Sequence, residues 1–98
     1  MFDKMKGLLE MQKKMQEVKR ALDDTNFDIQ SSDGAVKITM NGSQRIQEVV
    51  IKDSLGESEK ARLASTLKDT FNRAIKRSQE VAAQKMKEVT GFNIPGLT

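Results

Sequence analysis

The sequence predicts an α+β fold of order α-β-β-β-α, in which a three-stranded antiparallel meander is flanked by two long helices. Three observations carry that expectation. Both ends of the 98-residue chain place apolar residues at helical spacing, the middle alternates with period two, and the two strongest turn signals, Asp33-Gly34 and Asn41-Gly42, interrupt the alternating middle.

The first helix is expected over about residues 3–23. Leu8, Met11, Met15, Val18 and Leu22 follow one another at spacings 3, 4, 3, 4, which puts all five on one stripe. A parallel self-paired coiled coil is opposed by charge: with Leu8 at position a, Lys14 falls at g and meets Lys19 at e of the partner. The seam is therefore expected to pack on another helix of the same fold, with Met11 and Met15 as adaptable core filling. Strands are expected at about 25–31, 35–41 and 44–52. Phe27 and Ile29, then Val36, Ile38 and Met40, then Val49 and Ile51 would form one apolar face under the helices. Ile46 sits off the Val49 and Ile51 face, which suggests a bulge or a second buried surface. Gly and Asn at the two turns suit the positive φ angles that tight hairpins use.

The second helix is expected over about 57–90, because no Pro or Gly occurs from Glu57 to Val89. Its apolar face reads Leu67, Phe71, Ile75, Ser78, Ala82, Met86 and Val89, with a period of about 3.67 residues. Ser58 is the expected N-cap, with Glu59 in the first turn. Gly91 closes the run and Pro95 follows it. Such a helix reaches roughly 45–50 Å and should overhang the sheet. Residues 1–98 read as one domain with a tail at 91–98. Three strands leave two open edges, for which pairing with a second copy is a natural cover.

Composition narrows the function. Hydrophobic residues are 37% and aromatics 4% of the chain, so the core is thin and a partner subunit would help to build it. The absence of Cys and His removes disulfides, thiolate and imidazole ligands and the usual nucleophile and acid–base constellations. Catalysis would rest on carboxylates and lysines, and no Gly-rich phosphate loop is present. The protein is therefore not expected to be an enzyme and no cofactor is expected. Asp23, Asp24 and Asp28 are more simply a helix end and a turn than a metal site. No apolar run approaches the roughly 18 residues of a membrane span, and no secretory signal is evident, so a cytoplasmic, non-membrane protein is expected.

Charge is segregated. Met1–Leu22 carries six bases and three acids, Asp23–Asp53 three bases and six acids, and Ser54–Thr98 eight bases and five acids. Two positive arms joined through a negative hub suit a polyanion.

The residues that carry a family likeness are Val36-Lys37-Ile38-Thr39-Met40-Asn41-Gly42, Glu48-Val49-Val50-Ile51, Ser54-Leu55, Phe71-Asn72-Arg73-Ala74 and the closing Gly91-Phe92-Asn93-Ile94-Pro95-Gly96-Leu97. With Met11-Gln12 and Met15-Gln16, and in this order, they resemble the YbaB/EbfC family of nucleoid-associated proteins over nearly the whole chain. One departure is Ile51-Lys52-Asp53, where the family often has Ile-Asp-Pro. The resemblance implies a bacterial nucleoid protein, a tweezer-like homodimer and DNA binding through protruding helices, and it leaves room for recombination or repair proteins as partners.

If the two helices run antiparallel, Lys4, Lys6, Lys13 and Lys14 should approach Lys76, Arg77, Lys85 and Lys87 at a distal tip. A dimer would then offer double-stranded DNA two cationic prongs. Glu10 with Lys14, and Asp69 with Arg73, stand at i and i+4 and would pair locally, which ranks Lys14 and Arg73 lower as contacts. Phosphate contacts carry no sequence information, so weak preference is expected. A competing reading makes the arms an adaptor or holdase for a protein partner, gripping through exposed methionines.

Overall fold

The computed structural model describes residues 2–91. Its elements are α1 (Phe2–Asp24), β1 (Asn26–Gln30), β2 (Val36–Asn41), β3 (Ile46–Ile51) and α2 (Glu57–Thr90), and the sheet order β1-β2-β3 is an antiparallel meander. The expected order and element types hold. The expected tail beyond Gly91 lies outside the described residues. The long axis is 68 Å and the radius of gyration 18.2 Å, against ~13 Å for a compact chain of this size. α2 alone, with 34 residues, runs for about 51 Å.

The core sits where α2 crosses the central strand. Ala35, Val36, Ile38 and Met40 are buried there with Ala74 of α2, and Phe27, Ile29, Leu55, Leu63, Leu67 and Phe71 close around them. The face that α2 turns to the sheet keeps Leu67, Phe71 and Ser78 of the expected stripe but is rotated toward Thr70 and Ala74. Thr70, Ala74 and Ser78 are its buried positions in this stretch, while Ile75 remains 38% exposed. Small side chains let the helix lie close to the strands; the larger Ile75 falls on the flank.

β3 also departs from expectation, since helices cover only part of the sheet. α2 packs on β1 and β2, and every residue of β3 is exposed, including Ile46, Val49, Val50 and Ile51 at 40–49%. The anticipated bulge is present: Thr39 pairs with Glu48 but Met40 with Ile46, so Gln47 is the extra residue.

The β1–β2 turn places Gly34 at φ +74° as its sequence suggests. The β2–β3 turn works differently. Gly42 does not have a positive φ; Gln44 does, at +61°. Gly42 is needed instead for close approach, because a Cβ there would lie 2.9 Å from Leu22 Cδ2 and 3.2 Å from both Cα and the carbonyl oxygen of Leu22. Its N–H donates to the carbonyls of Leu22 (3.0 Å) and Thr25 (3.1 Å). The buried Asn41 side chain completes the turn, accepting from the N–H groups of Ser43 and Arg45 and donating to the carbonyl of Asp23.

α2 begins at Glu57, as expected, but with a different cap. Gly56, not Ser58, is the N-cap, in an extended conformation. Glu59 reaches back to accept its N–H at 3.0 Å, and Lys52 Nζ donates to the same carboxylate. Ser58 is thus the second helical residue. At the other end Gly91 stops the helix in the left-handed region at φ +76°, donating to the carbonyl of Lys87.

Candidate nucleic-acid interface

The two helices are fastened at the hub before they run out together. Ser78 is the fastener on α2: its hydroxyl accepts from Gln44 N–H (3.1 Å) and donates to the Asn41 carbonyl (2.9 Å), so the turn that holds the end of α1 also holds α2. Beyond it Val18 is buried, at 3% exposure. Further out the helices part into an open cleft of about 300 Å³, lined by Gly7, Glu10, Met11, Lys14 and Met15 of α1 and Met86 and Thr90 of α2. The start of α1 therefore lies beside the end of α2, as an antiparallel pair requires.

This register spreads the eight candidate residues along the arm instead of gathering them at its tip. Lys76 and Arg77 flank Ser78 and belong to the hub level. Lys85 and Lys87 lie roughly 10–14 Å farther out, at the level of Lys14, which shares the cleft with Met86. Lys4 and Lys6 precede Gly7 and extend beyond the level of Thr90. Lys13 and Lys14 thus lie at the level of Lys85 and Lys87 along the arm, whereas Lys4 and Lys6 do not meet Lys76 and Arg77.

Ion pairing sorts the same residues. Arg77 pairs with Glu80 and Lys85 with Glu88, each at 3.4 Å and at i, i+3. Lys4, Lys6, Lys13, Lys14, Lys76 and Lys87 have no acidic partner among the described residues, and all are exposed. The expected local pairs do not form: Lys14 makes no ion pair with Glu10, and Arg73 Nη1 donates to the Gln30 carbonyl at 3.2 Å instead of meeting Asp69. One cation escaped the sequence reading. Arg20 stands seven residues after Lys13, which stands seven after Lys6, so the three share one row of α1.

The carboxyls whose protonation is perturbed are structural and sit at the hub. The Ser43 hydroxyl, and then Lys19, hold Asp23 below its ordinary value. Asp33 is lowered by the Ala35 N–H and the Ser31 hydroxyl, with Arg62 adding to them. Glu59 is lowered by the Gly56 N–H and then Lys52. Among the described residues no group of three acids is arranged to hold a metal ion, and no helix is long and apolar enough to cross a membrane.

Comparison with known proteins gives matches of three kinds. A family model described as the YbaB/EbfC DNA-binding family matches residues 1–92. A Flavobacterium johnsoniae protein named a nucleoid-associated protein is 32% identical over 90 residues, covering 92% of this chain and 84% of that one. The crystal structure of an uncharacterized protein from Helicobacter pylori superposes with a TM-score of 0.69 at 27% identity, covering 82% of this chain and 86% of that one.

Proposed function

The chain belongs to the YbaB/EbfC DNA-binding family, and from that membership we propose that it is a nucleoid-associated protein whose homodimer grips duplex DNA between basic helical arms. The observation that carries this reading is the set of exposed lysines along α1 and the outer part of α2 that have no acidic partner among the described residues. Cations already neutralised by a neighbour release few counterions on binding; unpaired ones give the full electrostatic gain. Sequence preference is weak, and the protein acts in the nucleoid on chromosome organisation, gene expression, or recombination and repair.

The homodimer is supported by β3. An edge strand with Ile46, Val49, Val50 and Ile51 all at least 40% exposed offers both apolar surface and unpaired backbone groups to a second copy. Two arms then project from one hub.

The test is fluorescence anisotropy with unrelated duplexes of about 30 base pairs across a salt series. Each phosphate neutralised contributes about −0.9 to the log–log salt slope. Lys6→Glu with Lys87→Glu should weaken binding and flatten that slope, while a binding curve unchanged by both reversals would end the clamp reading. A second reading rests on the cleft lined by Met11, Met15 and Met86, whose adaptable side chains suit a helix of a partner protein. Capture of a protein that survives high salt and is lost on Met86→Glu would favour it.

A further inference from the structure

We infer that the outward face of α1 is the surface that enters the major groove, with Gln12 and Gln16 reading base edges and Met5, Leu8 and Leu9 packing against thymine methyl groups. This rests on the DNA-binding reading above and adds to it the face, the groove and the residues that meet the bases.

The packing of α1 on α2 leaves apolar residues exposed on its far side. Met5 is 62%, Leu8 69% and Leu9 56% exposed, in the same range as Met11 and Met15 beside the open cleft at 60% and 42%, but Met5 and Leu9 do not border that cleft. At about 100° per residue, Met5, Leu9, Gln12 and Gln16 occupy one sector turned away from Gly7, Met11, Lys14 and Val18, the side on which α2 lies, and Leu8 stands at its margin next to Met15 of the cleft. None of the five is charged. Lys6, Lys13 and Arg20 run along one border of the sector, whereas Lys4 lies in line with Met11 and Met15 on the cleft side, and Asp3, Glu10 and Glu17 fall beyond the lysine row. Lys19, at the hub end of the sector, is held by Asp23 at 3.7 Å.

An uncharged strip beside a cationic row matches one wall and the floor of a DNA groove, where phosphates line the wall and neutral base edges the floor. The fit is also geometric. The molecule is 23 × 16 Å across its long axis, and its outer edge is a single helix about 10–12 Å in diameter, which a major groove about 12 Å wide admits. Chemistry selects the floor: a Gln amide can bond adenine N6 and N7 together, and apolar side chains favour the thymine methyl. A second copy laid antiparallel on this strip would bring the two lysine rows together, and two glutamines near the middle of the sector suit an acyl layer poorly. Duplex DNA is the occupant that uses every part of the pattern.

The experiment is anisotropy titration at fixed salt of the full-length protein against three A·T-rich duplexes: unmodified, with uracil replacing thymine, and with 7-deazaadenine replacing adenine. The wild type should bind uracil DNA about threefold and deazaadenine DNA about tenfold more weakly than unmodified DNA. Leu9→Ala should erase the first difference, and Gln12→Ala with Gln16→Ala the second, with the salt slope unchanged in both. Lys6→Glu should lower affinity for all three duplexes alike. Tight, salt-dependent wild-type binding that is equal on all three duplexes would overturn the groove assignment and leave the clamp standing. No wild-type binding at low salt would remove the clamp itself. A fall in solution mass on Leu8→Ala would show that the strip covers a second copy, and would also overturn the assignment.

Discussion

Replacing Gly42 by alanine should loosen the root of the arm, and the structure states by how much. The new Cβ would sit 2.9 Å from Leu22 Cδ2, which can rotate away, but also 3.2 Å from the Cα and carbonyl oxygen of Leu22, which cannot move unless the last turn of α1 moves. A shift of a few tenths of an ångström also stretches the bonds from Gly42 N–H to Leu22 and Thr25. Gly42 lies outside the left-handed region, so its conformation adds no penalty and the effect is steric alone. Overpacking of this kind costs about 1–3 kcal/mol, and about 1 kcal/mol lowers the melting temperature of a 60–100-residue domain by roughly 4–8 °C. The assay is thermal unfolding by far-UV circular dichroism at one protomer concentration, since a dimer melts in a concentration-dependent way. Gly7→Ala is the control on the same helix: nothing lies within 4 Å of its Cβ position, and the better helix former should add about 0.5–1 kcal/mol. The two substitutions should therefore move the midpoint in opposite directions. A Gly42→Ala protein that melts at or above the wild type would refute the claim that close approach at Leu22 is what requires glycine.

Three further outcomes are expected. Ser78→Ala should destabilise by about 1–3 kcal/mol, because Gln44 N–H then loses its acceptor between α2 and the β2–β3 turn; unchanged urea unfolding would mean that water replaces the hydroxyl. Asp23, Asp33 and Glu59 all have folded-state values below their ordinary ones, so their contribution is complete above the usual carboxylate range near ~4 and is lost as pH falls through the depressed values. Melting temperature should accordingly be flat toward neutrality and fall on acidification, and Asp33→Ala should lessen that fall; an acid profile identical to wild type would rule Asp33 out. Val49→Asp should reduce the mass found by sedimentation equilibrium from dimer to monomer while leaving α1 and α2 helical, and a mass unaffected by this charge would exclude β3 from the subunit interface.

Much of the architecture was legible because it depends on local periodicity. The switch from helical spacing to alternation and back marks all five elements, and Gly34 and Gly91 take the positive φ their positions suggest. What was not legible depends on neighbours distant in sequence. Gly42 looks like a turn glycine, and only the proximity of Leu22 shows why alanine does not fit. The spacing finds Phe71 and Ser78 on the face of α2 but also places Ile75 there, whereas packing distance selects the small Thr70 and Ala74 and leaves Ile75 on the flank. Alternation in β3 cannot tell whether a helix covers it. At the candidate interface the cations were legible as a charge pattern. Their pairing was not, because Arg77 and Lys85 reach acids three residues on, while Lys14 leaves Glu10 unused.

The fastening of both helices at one turn has a mechanical consequence. Asn41, Gly42 and Gln44 hold the end of α1 and the middle of α2 within a few residues of each other, and α1 extends from there through 23 residues, about 35 Å. A tilt of roughly 5° at such a pivot displaces the free end of a rod this long by about 3 Å, half the distance between neighbouring phosphates. In the proposed clamp the width of the jaw would be set at this hinge: substitutions around Leu22, Gly42 and Ser78 would retune which duplex geometry it holds while every cation on the arm stays the same.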